Sequence, residues 1–553
     1  MAELESAAAP VANVSRFLDQ MSERRGDRPA LLAPRGRIRS GEIDYLSLSF
    51  AELRREQDNW CVHLREAGVG RGTRVLLAAR PGLPLIAVCF ALFKLGAVPI
   101  VIDPGMGLKS FLTCVKRSSP KVLIGTSLAI WVSRIFPAAF RTVTRKIKLG
   151  GGLSRAPIAK ESGAFQGELT KSNDLAAILF TSGSTGPAKG VCYEHGMFEA
   201  QVIAIGRQYG IEEGEVDLPM LPIFALFNPA LGMTTVIPEI NPSKPATVDP
   251  AKIIQAIRQC DVTNSFGSPV LWKKIGGYCQ ANGITLPSLR RILMAGASVP
   301  PHLFRDFKEI LPQGVAHSPY GATEILPVSS IDGEQALEET AELTERGRGT
   351  CVGKPLPGVE VRIAKISDDW LGKEALGDAV PPGDVGEIIV SGPSVTREYD
   401  NLPEATNRSK IRTDDRIWHR MGDLGYLDEK GRLWFCGRLA ERIQIGKKTY
   451  LTDCCEGVFN ALPKVCRSAL VSLEKDGERV PCIAIQPREG SFPKTRLERN
   501  RFIEGLKEAA AITGMTGDIR EFVFTKSFPV DVRHNAKINR IELARLLRRE
   551  VAD

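Results

Sequence analysis

The chain has 553 residues, 43% hydrophobic and 25% charged, and this balance excludes a disordered, collagen-like or coiled-coil protein. Its 73 basic and 64 acidic residues leave a net charge of +9, which is small for this length and does not indicate a nucleic acid partner. Twelve cysteines without C-x-x-C spacing indicate neither a zinc site nor a disulfide framework. The longest apolar run, residues 83–93, stops at Lys94 and is too short to span a bilayer. Glu3 and Glu5 stand where a signal peptide has basic residues. We therefore expect a cytoplasmic protein with no transmembrane segment.

Helix and strand patterns alternate along most of the chain. Ser49 and Glu52 form a capping box before a helix that ends near Gly68, and residues 74–79, 84–95 and 98–102 then read as strand, buried helix and strand. This alternation predicts an α/β fold with mostly parallel sheets covered by helices. Residues 423–437 read as a hairpin, and a shorter α+β pattern follows it. We predict a large N-terminal domain over 1–437 and a small, mobile C-terminal domain over 438–553.

One strongly charged stretch and one amphipathic helix are also recognisable in the sequence. Residues 331–349 are strongly charged and are predicted to form a surface excursion. The last helix is predicted to present one apolar stripe made of Ile541, Leu543, Leu546 and Leu547.

Three predicted strands run directly into loops of small residues. Residues 175–180 enter TSGSTGPAKG, residues 291–294 enter AGAS, and the segment before Tyr320 enters YGATE. In open α/β sheets, ligands bind at the carboxyl ends of the strands. We therefore expect the three loops to converge on one site.

The first of these loops is suited to binding phosphate. Its glycines let the backbone approach a ligand, its hydroxyl and N–H groups can surround phosphate oxygens, and its lysine adds a positive charge. The candidate phosphate-binding residues are Thr181, Ser182, Gly183, Ser184, Thr185, Gly186 and Lys189. The loop is not of the Walker A type, because Ala188 precedes the lysine and Gly190 follows it. A plain Gly/Ser linker is the alternative, although linkers seldom follow a buried strand directly.

These motifs together resemble those of the adenylate-forming superfamily, which includes acyl-CoA ligases, peptide-synthetase adenylation domains and luciferases. TSGSTGPAKG is similar to its phosphate loop, and YGATE to its aromatic-G-x-T-E element. Gly422-Asp423 lies where the G-D pair of the superfamily is expected, Gly437-Arg438 where its hinge begins, and Lys537 resembles its C-terminal lysine. The elements occur in the superfamily's order over nearly the whole chain.

The resemblance implies that the protein binds ATP and Mg²⁺ and assigns a role to each motif. Glu324, with the Thr181 hydroxyl, would hold Mg²⁺, while Lys537 would bridge the substrate carboxylate and the α-phosphate, which makes Lys537, Lys189, Thr181 and Glu324 the candidate catalytic residues. The remaining ATP-binding candidates surround adenine, ribose or phosphate: Gly296, Ala297, Ser298, Tyr320, Gly321, Ala322, Thr323, Asp423 and Arg438. His195 and His317 flank site loops, but we interpret both as structural.

Apolar stretches over residues 218–241 and 265–272 predict a long hydrophobic channel for an acyl chain. The candidate acyl-binding residues are Phe224, Phe227, Phe266 and Gly267. Ordinary core packing is the alternative interpretation of the same pattern.

Several positions depart from the pattern of thioester-forming relatives. Ala225 stands where many acyl-CoA ligases have an aromatic residue or His, Ala440 where many have Asp or Lys, and Ala536 where a Gly precedes the C-terminal lysine. These departures place in doubt the rotated conformation in which relatives admit coenzyme A.

The stretches IPEINPSKPATVDP, VTNSFGSPVLW and PVDVRHNAKINR resemble the olefin β-lactone synthetase branch of the superfamily. That branch is understood to adenylate a long-chain 2-alkyl-3-hydroxy fatty acid, whose own 3-hydroxyl then closes a β-lactone with release of AMP and diphosphate. In long-chain olefin biosynthesis its implied partners are a β-lactone decarboxylase and a reductase. Two alternatives remain open: a long-chain fatty acyl-CoA ligase, and a non-catalytic nucleotide-binding scaffold subunit.

Overall fold

The computed structural model describes residues 12–158, 164–181, 187–241, 247–369, 371–377, 380–475, 477–530 and 537–552. Its strands are β1 Pro29–Arg37, β2 Ile43–Ser49, β3 Arg74–Ala78, β4 Val98–Val101, β5 Val122–Gly125, β6 Arg145–Lys148, β7 Leu175–Thr181, β8 Lys189–Glu194, β9 Val216–Pro219, β10 Thr234–Val236, β11 Asn264–Gly267, β12 Arg291–Met294, β13 Val315–Ala322, β14 Ile325–Asp332, β15 Thr350–Cys351, β16 Lys354–Pro355, β17 Glu360–Ala364, β18 Gly386–Ser391, β19 Lys410–Arg412, β20 Ile417–Leu427, β21 Leu433–Arg438, β22 Ile443–Ile445, β23 Lys448–Tyr450, β24 Val465–Lys475, β25 Glu478–Pro487 and β26 Glu521–Phe524. Its α-helices are α1 Arg16–Arg25, α2 Phe50–Glu66, α3 Leu83–Lys94, α4 Leu108–Ser118, α5 Ser127–Ile135, α6 His195–Tyr209, α7 Asn228–Leu231, α8 Pro250–Gln259, α9 Pro269–Ala281, α10 Pro301–Ile310, α11 Gly333–Gln335, α12 Ala341–Glu345, α13 Pro403–Ser409, α14 Thr452–Asn460, α15 Arg496–Ala510 and α16 Arg540–Ala552. Within the described part of the chain, every helix is too short or too polar to cross a bilayer.

The first large sheet has the strand order β6-β5-β3-β4-β7-β8 and is parallel except for the β7–β8 hairpin. The predicted capping box of Ser49 and Glu52 is present at the start of α2. Helix α3 is buried almost throughout and packs in one hydrophobic cluster, whereas α4 and α5 pack in another. The strand–helix–strand prediction for this region is thus confirmed to within one or two residues.

The second large sheet has the order β16-β14-β13-β12-β11-β9-β10-β1-β2. Its central strands are parallel, and antiparallel pairing is confined to the two edges. Trp272 of α9 and Phe307 of α10 are buried against it, with ring centroids 5.4 Å apart. The two large sheets with their helices confirm the α/β fold class.

A third sheet, β15-β21-β20-β18-β17 with β19 beside β20, is antiparallel throughout. It contains the predicted hairpin, in which β20 and β21 are joined by a turn where Gly431 N donates to Asp428 O. Trp434 Nε1 also donates to Asp428 Oδ2 over 2.9 Å, which fixes the turn to the strand that follows it.

After Arg438 the chain forms the β22–β23 hairpin and the sheet β24-β25-β26, covered by α14 and α15. Leu451 and Cys454 pack in the same buried cluster as Trp434 and Cys436 of the third sheet. The domain boundary at residue 437 therefore stays a prediction, since apolar contacts continue across it.

Two local predictions differ from the structure. Residues 333–345 are helical, and Ala336 and Ala341 are buried, so the segment packs on the core instead of forming an excursion. In α16, Leu543 and Leu547 are buried while Ile541 is 84% exposed. The stripe has the i, i+4 spacing of one narrow helix face, and Ile541 and Leu546 lie outside that face.

Candidate active site

The lysine at the end of the phosphate loop, Lys189, lies against the ring of Tyr399. Lys189 Nζ is 4.7 Å from the centroid of the Tyr399 ring, and the Tyr399 hydroxyl donates to Glu324 Oε1 over 2.7 Å. Tyr193 on β8 donates its hydroxyl to Thr323 O over 2.5 Å. The structure thus brings Lys189 and Glu324 together. Ser182, Gly183, Ser184, Thr185 and Gly186 lie outside the described residues, and only the backbone of Thr181 is described, at the end of β7.

A second lysine, Lys410, is buried behind this cluster. Its Nζ lies 6.0 Å from the centroid of the Tyr399 ring and donates to Thr396 Oγ1 over 3.2 Å. Burial lowers the pKa of Lys410 to about 7. The negative charge of Glu324 opposes this decrease, whereas the positive charges of Arg412 and Lys189 add to it. Lysines are rarely buried, and a buried lysine with a lowered pKa beside Glu324 is a candidate site residue.

Tyr320, Asp423, Arg438 and Lys537 form the other side of the site. The Tyr320 hydroxyl donates to Asp423 Oδ2 over 2.6 Å, and Arg438 Nη1 lies 2.9 Å from Asp423 Oδ1. Burial raises the pKa of Asp423, and the charges of Arg438 and Lys537 oppose that rise. Although it is close to Arg438, the buried Oδ1 accepts no hydrogen bond from any described residue. A carboxylate oxygen in this state is suited to accept a hydroxyl of a ligand.

The second loop, Gly296 to Ser298, follows β12. Gly296 has φ +98°, a conformation that favours glycine. Ser298 donates its hydroxyl to Asp453 Oδ1 over 3.0 Å, and Thr350 donates to Asp453 Oδ2 over 2.5 Å. The loop is therefore connected to α14, which lies beyond the predicted hinge.

Gly321, in β13 just before the turn into β14, can be replaced by no larger residue. A Cβ on Gly321 would lie 2.7 Å from Ile325 O, so only glycine lets Ala322 pair with Ile325 and the chain reach Thr323 and Glu324.

His195 and His317 are structural in their contacts. His195 is fully buried and accepts from Val14 N over 3.2 Å, while His317 packs edge-on against Tyr209 with centroids 5.3 Å apart. Burial lowers the pKa of each imidazole to about 4, so both are neutral at pH 7.

An apolar pocket lies in the region of the predicted acyl channel, between α6, α7 and the second sheet. Phe224, Phe227 and Phe266 line it, and the Phe224 and Phe266 rings are stacked with centroids 3.8 Å apart. Gly267 instead faces the core, where a Cβ would collide with Met220.

A polar cluster closes the floor of this pocket. Asp217 accepts from Asn264 Nδ2 over 2.6 Å and from Asn228 Nδ2 over 2.9 Å, and Asn228 also donates to Thr235 Oγ1. Burial raises the pKa of Asp217 to about 6. Asn264 Oδ1 is buried and accepts no hydrogen bond from any described residue. The pocket therefore combines an apolar wall with one unsatisfied acceptor.

Comparison with known proteins assigns the family. A family model described as "AMP-binding enzyme" matches residues 18–400. The chain belongs to this family. It is accordingly an ATP-dependent, adenylate-forming ligase that acts on a small-molecule acid.

Two similar proteins align with nearly the whole length of this chain. "Olefin beta-lactone synthetase" of Stenotrophomonas maltophilia is 39% identical over 546 residues, with 96% of this chain and 97% of that protein covered. "Olefin beta-lactone synthetase" of Xanthomonas campestris pv. campestris is 39% identical over 553 residues, with 97% of each chain covered.

Two solved structures share the fold at lower identity. Amide bond synthetase McbA from Marinactinospora thermotolerans is 21% identical with a TM-score of 0.77, covering 96% of this chain and 99% of that chain. O-succinylbenzoate Coenzyme A Synthetase (MenE) from Bacillus subtilis, in complex with AMP, is 21% identical with a TM-score of 0.75, covering 95% and 97%.

The sequence patterns missed five residues of the site: Tyr399, Lys410, Asp217, Asn228 and Asn264. Asp217 carried a signal, because a carboxylate between Val216 and Leu218 is unusual in an apolar strand. Lys410 carried none, since a single lysine in a polar segment normally faces solvent.

Proposed function

We propose that this enzyme converts a long-chain 2-alkyl-3-hydroxy acid and ATP into a β-lactone, AMP and diphosphate. The observation that carries the proposal is the 39% identity, over nearly the entire chain, to two proteins named olefin beta-lactone synthetase. The apolar lining of the pocket, which includes Phe224, Phe227 and Phe266, supports a substrate with an alkyl portion.

The first step forms the acyl-adenylate. An oxygen of the substrate carboxylate attacks the α-phosphorus of ATP, and diphosphate leaves with the electrons of the broken P–O bond. Like charges meet in this step, so cations must surround it. We assign this role to Lys189, Lys410 and Lys537, with Tyr320 against adenine and Asp423 accepting from the ribose hydroxyls.

Magnesium fits the Glu324 side of the site. Tyr399 engages one oxygen of Glu324, and no hydrogen bond to the other comes from the described residues. The described residues contain no group of three or more His, Cys, Asp or Glu that could hold a metal. Mg²⁺ that also binds nucleotide phosphates needs only one or two protein carboxylates. When bound, the ion would neutralise phosphate charge, and Glu324 with the Thr181 hydroxyl would hold it.

The second step needs no further substrate. The 3-hydroxyl oxygen attacks the acyl carbon, the C–O bond to AMP breaks, and the hydroxyl proton is released. Because nucleophile and electrophile lie on one molecule, the reaction gains from proximity, and the site must exclude water from the activated acyl group.

The contacts of Asp453 favour this reaction over transfer to a thiol. Ser298 and Thr350 both donate to the half-buried Asp453 carboxylate, and the neighbouring Cys454 packs in the cluster that contains Trp434. A rotation about Arg438 would break these contacts and expose apolar surface. Lactone closure requires no such rotation.

The place of the reaction in a sequence follows from its chemistry. A reductase must supply the 3-hydroxyl group, and a decarboxylase that converts the lactone to an olefin would consume the product. Assembly with these two enzymes in long-chain olefin biosynthesis is part of the proposal.

The deciding experiment omits coenzyme A. Purified enzyme is incubated with ATP, Mg²⁺ and a long-chain 2-alkyl-3-hydroxy acid, and the products are analysed for AMP and for the strained lactone carbonyl. The matched acid without the 3-hydroxyl serves as control and should release diphosphate without forming lactone. Turnover only after a thiol is added would establish an acyl-CoA ligase instead. Nucleotide binding without diphosphate release from any acid would establish a scaffold.

A further inference from the structure

The positive charge of the chain is concentrated in one segment. Residues 104–158 contain ten basic and no acidic residues, whereas the whole chain has 73 basic and 64 acidic residues, so the remainder is nearly balanced. The segment covers α4, β5, α5 and β6, which form one flank of the first large sheet with β6 at its edge.

Most of this charge faces solvent, and the described part of the chain supplies no counter-charge to it. Eight of the basic side chains are exposed and form no ion pair with any described carboxylate: Lys109, Lys116, Lys121, Arg134, Arg141, Arg145, Lys146 and Lys148. By contrast, Arg155 pairs with Glu56, and Arg117 donates to Ala188 O. The flank therefore presents a field of one sign.

An apolar helix face lies within the same flank. On α5, Leu128 is 66% exposed, Trp131 59% and Ile135 46%. These residues follow the i, i+3, i+7 spacing of a single helix face, and the opposite side of α5 packs Ala129, Ile130 and Val132 against the sheet. Helix α5 is thus apolar on both sides, although only one side is covered.

We propose that this basic flank, which we define as the exposed face of α5 with Lys121 and the surrounding lysines and arginines of α4, β6 and the α5–β6 segment, docks on the surface of an anionic lipid bilayer. Anionic headgroups complement the unpaired cations, and the apolar face with its tryptophan enters the boundary between headgroups and acyl chains. A nucleic acid would satisfy the charge but leave Leu128, Trp131 and Ile135 in water.

The orientation of the flank suits delivery of an apolar substrate. Strands β4, β5 and β7 point the same way, and α4, α5 and the phosphate loop each begin at the carboxyl end of one of them. Leu108 at the start of α4 and Leu128 at the start of α5 are exposed at this edge. A bilayer in contact with the flank would lie beside the edge at which the nucleotide site begins. The inference does not depend on lactone chemistry, since any long-chain acid partitions into lipid.

The test is co-sedimentation of the full-length enzyme with vesicles. Vesicles of phosphatidylcholine alone are compared with vesicles containing phosphatidylglycerol at about 30 mol%. We expect binding only to the anionic vesicles, and weaker binding as salt is raised because the charges are exposed. Neutralising Arg145→Gln, Lys146→Gln and Lys148→Gln together should lower the partition coefficient roughly 100-fold, at about tenfold or less per basic residue. Leu128→Ser with Trp131→Ser should lower it by about tenfold or more.

Matched controls are available on α15, which has a similar composition but also carries acidic residues. Leu497 is 61% exposed there, Arg496 and Arg501 are exposed basic residues of the helix, and Lys494 is an exposed basic residue two positions before it. Leu497→Ser, and the triple change of those three residues to Gln, should leave binding within about twofold of wild type. All variants should keep the wild-type unfolding temperature and release diphosphate normally with a water-soluble acid.

Three results would overturn the proposal. Equal loss of binding in the α15 triple variant would show that only net charge matters, and equal binding to neutral vesicles would remove the role of the cations. Absence of binding to any vesicle would exclude lipid and make an acidic protein surface the occupant that the charge favours.

Discussion

Replacing Lys410 by methionine should stabilise the protein while impairing its activity. Methionine has a similar length and no charge, so it fits the site of the buried lysine without requiring solvation. The loss concerns function, because the ammonium group near Glu324 and Lys189 would no longer oppose the charge of the triphosphate.

The expected size of the effect follows from the pKa of Lys410. Burial lowers this pKa from 10.5 to about 7. At about 1.4 kcal/mol per unit, the charged lysine destabilises the folded state by about 4 to 5 kcal/mol below pH 7. The hydrogen bond to Thr396 offsets about 1 kcal/mol of this cost. We therefore expect Lys410→Met to raise the free energy of unfolding by about 3 to 4 kcal/mol at pH 6.

The pH dependence separates this explanation from simple repacking. Between pH 7 and pH 9 the folded wild type releases the Lys410 proton while the unfolded chain keeps it, so the wild type regains about 2 to 3 kcal/mol. The advantage of the variant should shrink accordingly. Thermal unfolding at pH 6 and pH 9 measures the difference, with the exposed Lys526→Met as a matched control that should show no gain. A destabilised Lys410→Met at pH 6, or a difference independent of pH, would refute the reasoning.

Three further predictions concern the site. Lys537→Ala should abolish diphosphate release while ATP binding, measured at equilibrium, stays within about threefold, because the lysine acts mainly on the reacting complex; a comparable loss of ATP affinity would contradict this. Glu324→Gln should sharply raise the Mg²⁺ concentration needed for activity, and Tyr399→Phe, which removes only the 2.7 Å hydrogen bond, should raise it less; unchanged magnesium titrations would place the ion elsewhere. The pKa of Asp217 is raised to about 6, so between about pH 4 and 7 the unfolded chain loses this proton more readily than the folded protein. The free energy of unfolding should therefore fall by about 3 kcal/mol over that range. Asp217→Asn should therefore gain unfolding temperature relative to wild type over that range, and parallel curves would show that Asp217 does not titrate there.

The fold was predictable where local pattern and tertiary structure agree. The strands before Thr181, Gly296 and Tyr320 were recognisable because apolar runs end in glycine-bearing loops, and β7, β12 and β13 end at or near the predicted positions. The stripe on α16 was predicted too wide, because periodicity alone does not tell which of two adjacent faces meets the sheet.

Residues of the candidate site were predictable only where they belong to a recognisable sequence motif. Glu324 and Asp423 stand in motifs, whereas Asp217 and Asn264 meet only through the register of β9 and β11, and Asn228 reaches Asp217 from α7. Tyr399 and Lys410 belong to a segment without a motif. Their role is visible only once the segment folds under Lys189 and Glu324.

The stacked rings of Phe224 and Phe266 affect how long an acid must be to bind in the pocket. Such a pair gains about 1 kcal/mol beyond the burial of its surface, and each methylene that leaves water gains about 0.8 kcal/mol. The first one or two carbons of an entering acid would therefore do no more than offset the parting of the rings. Short carboxylates would gain nothing from entering, so a threshold of chain length arises without any gate.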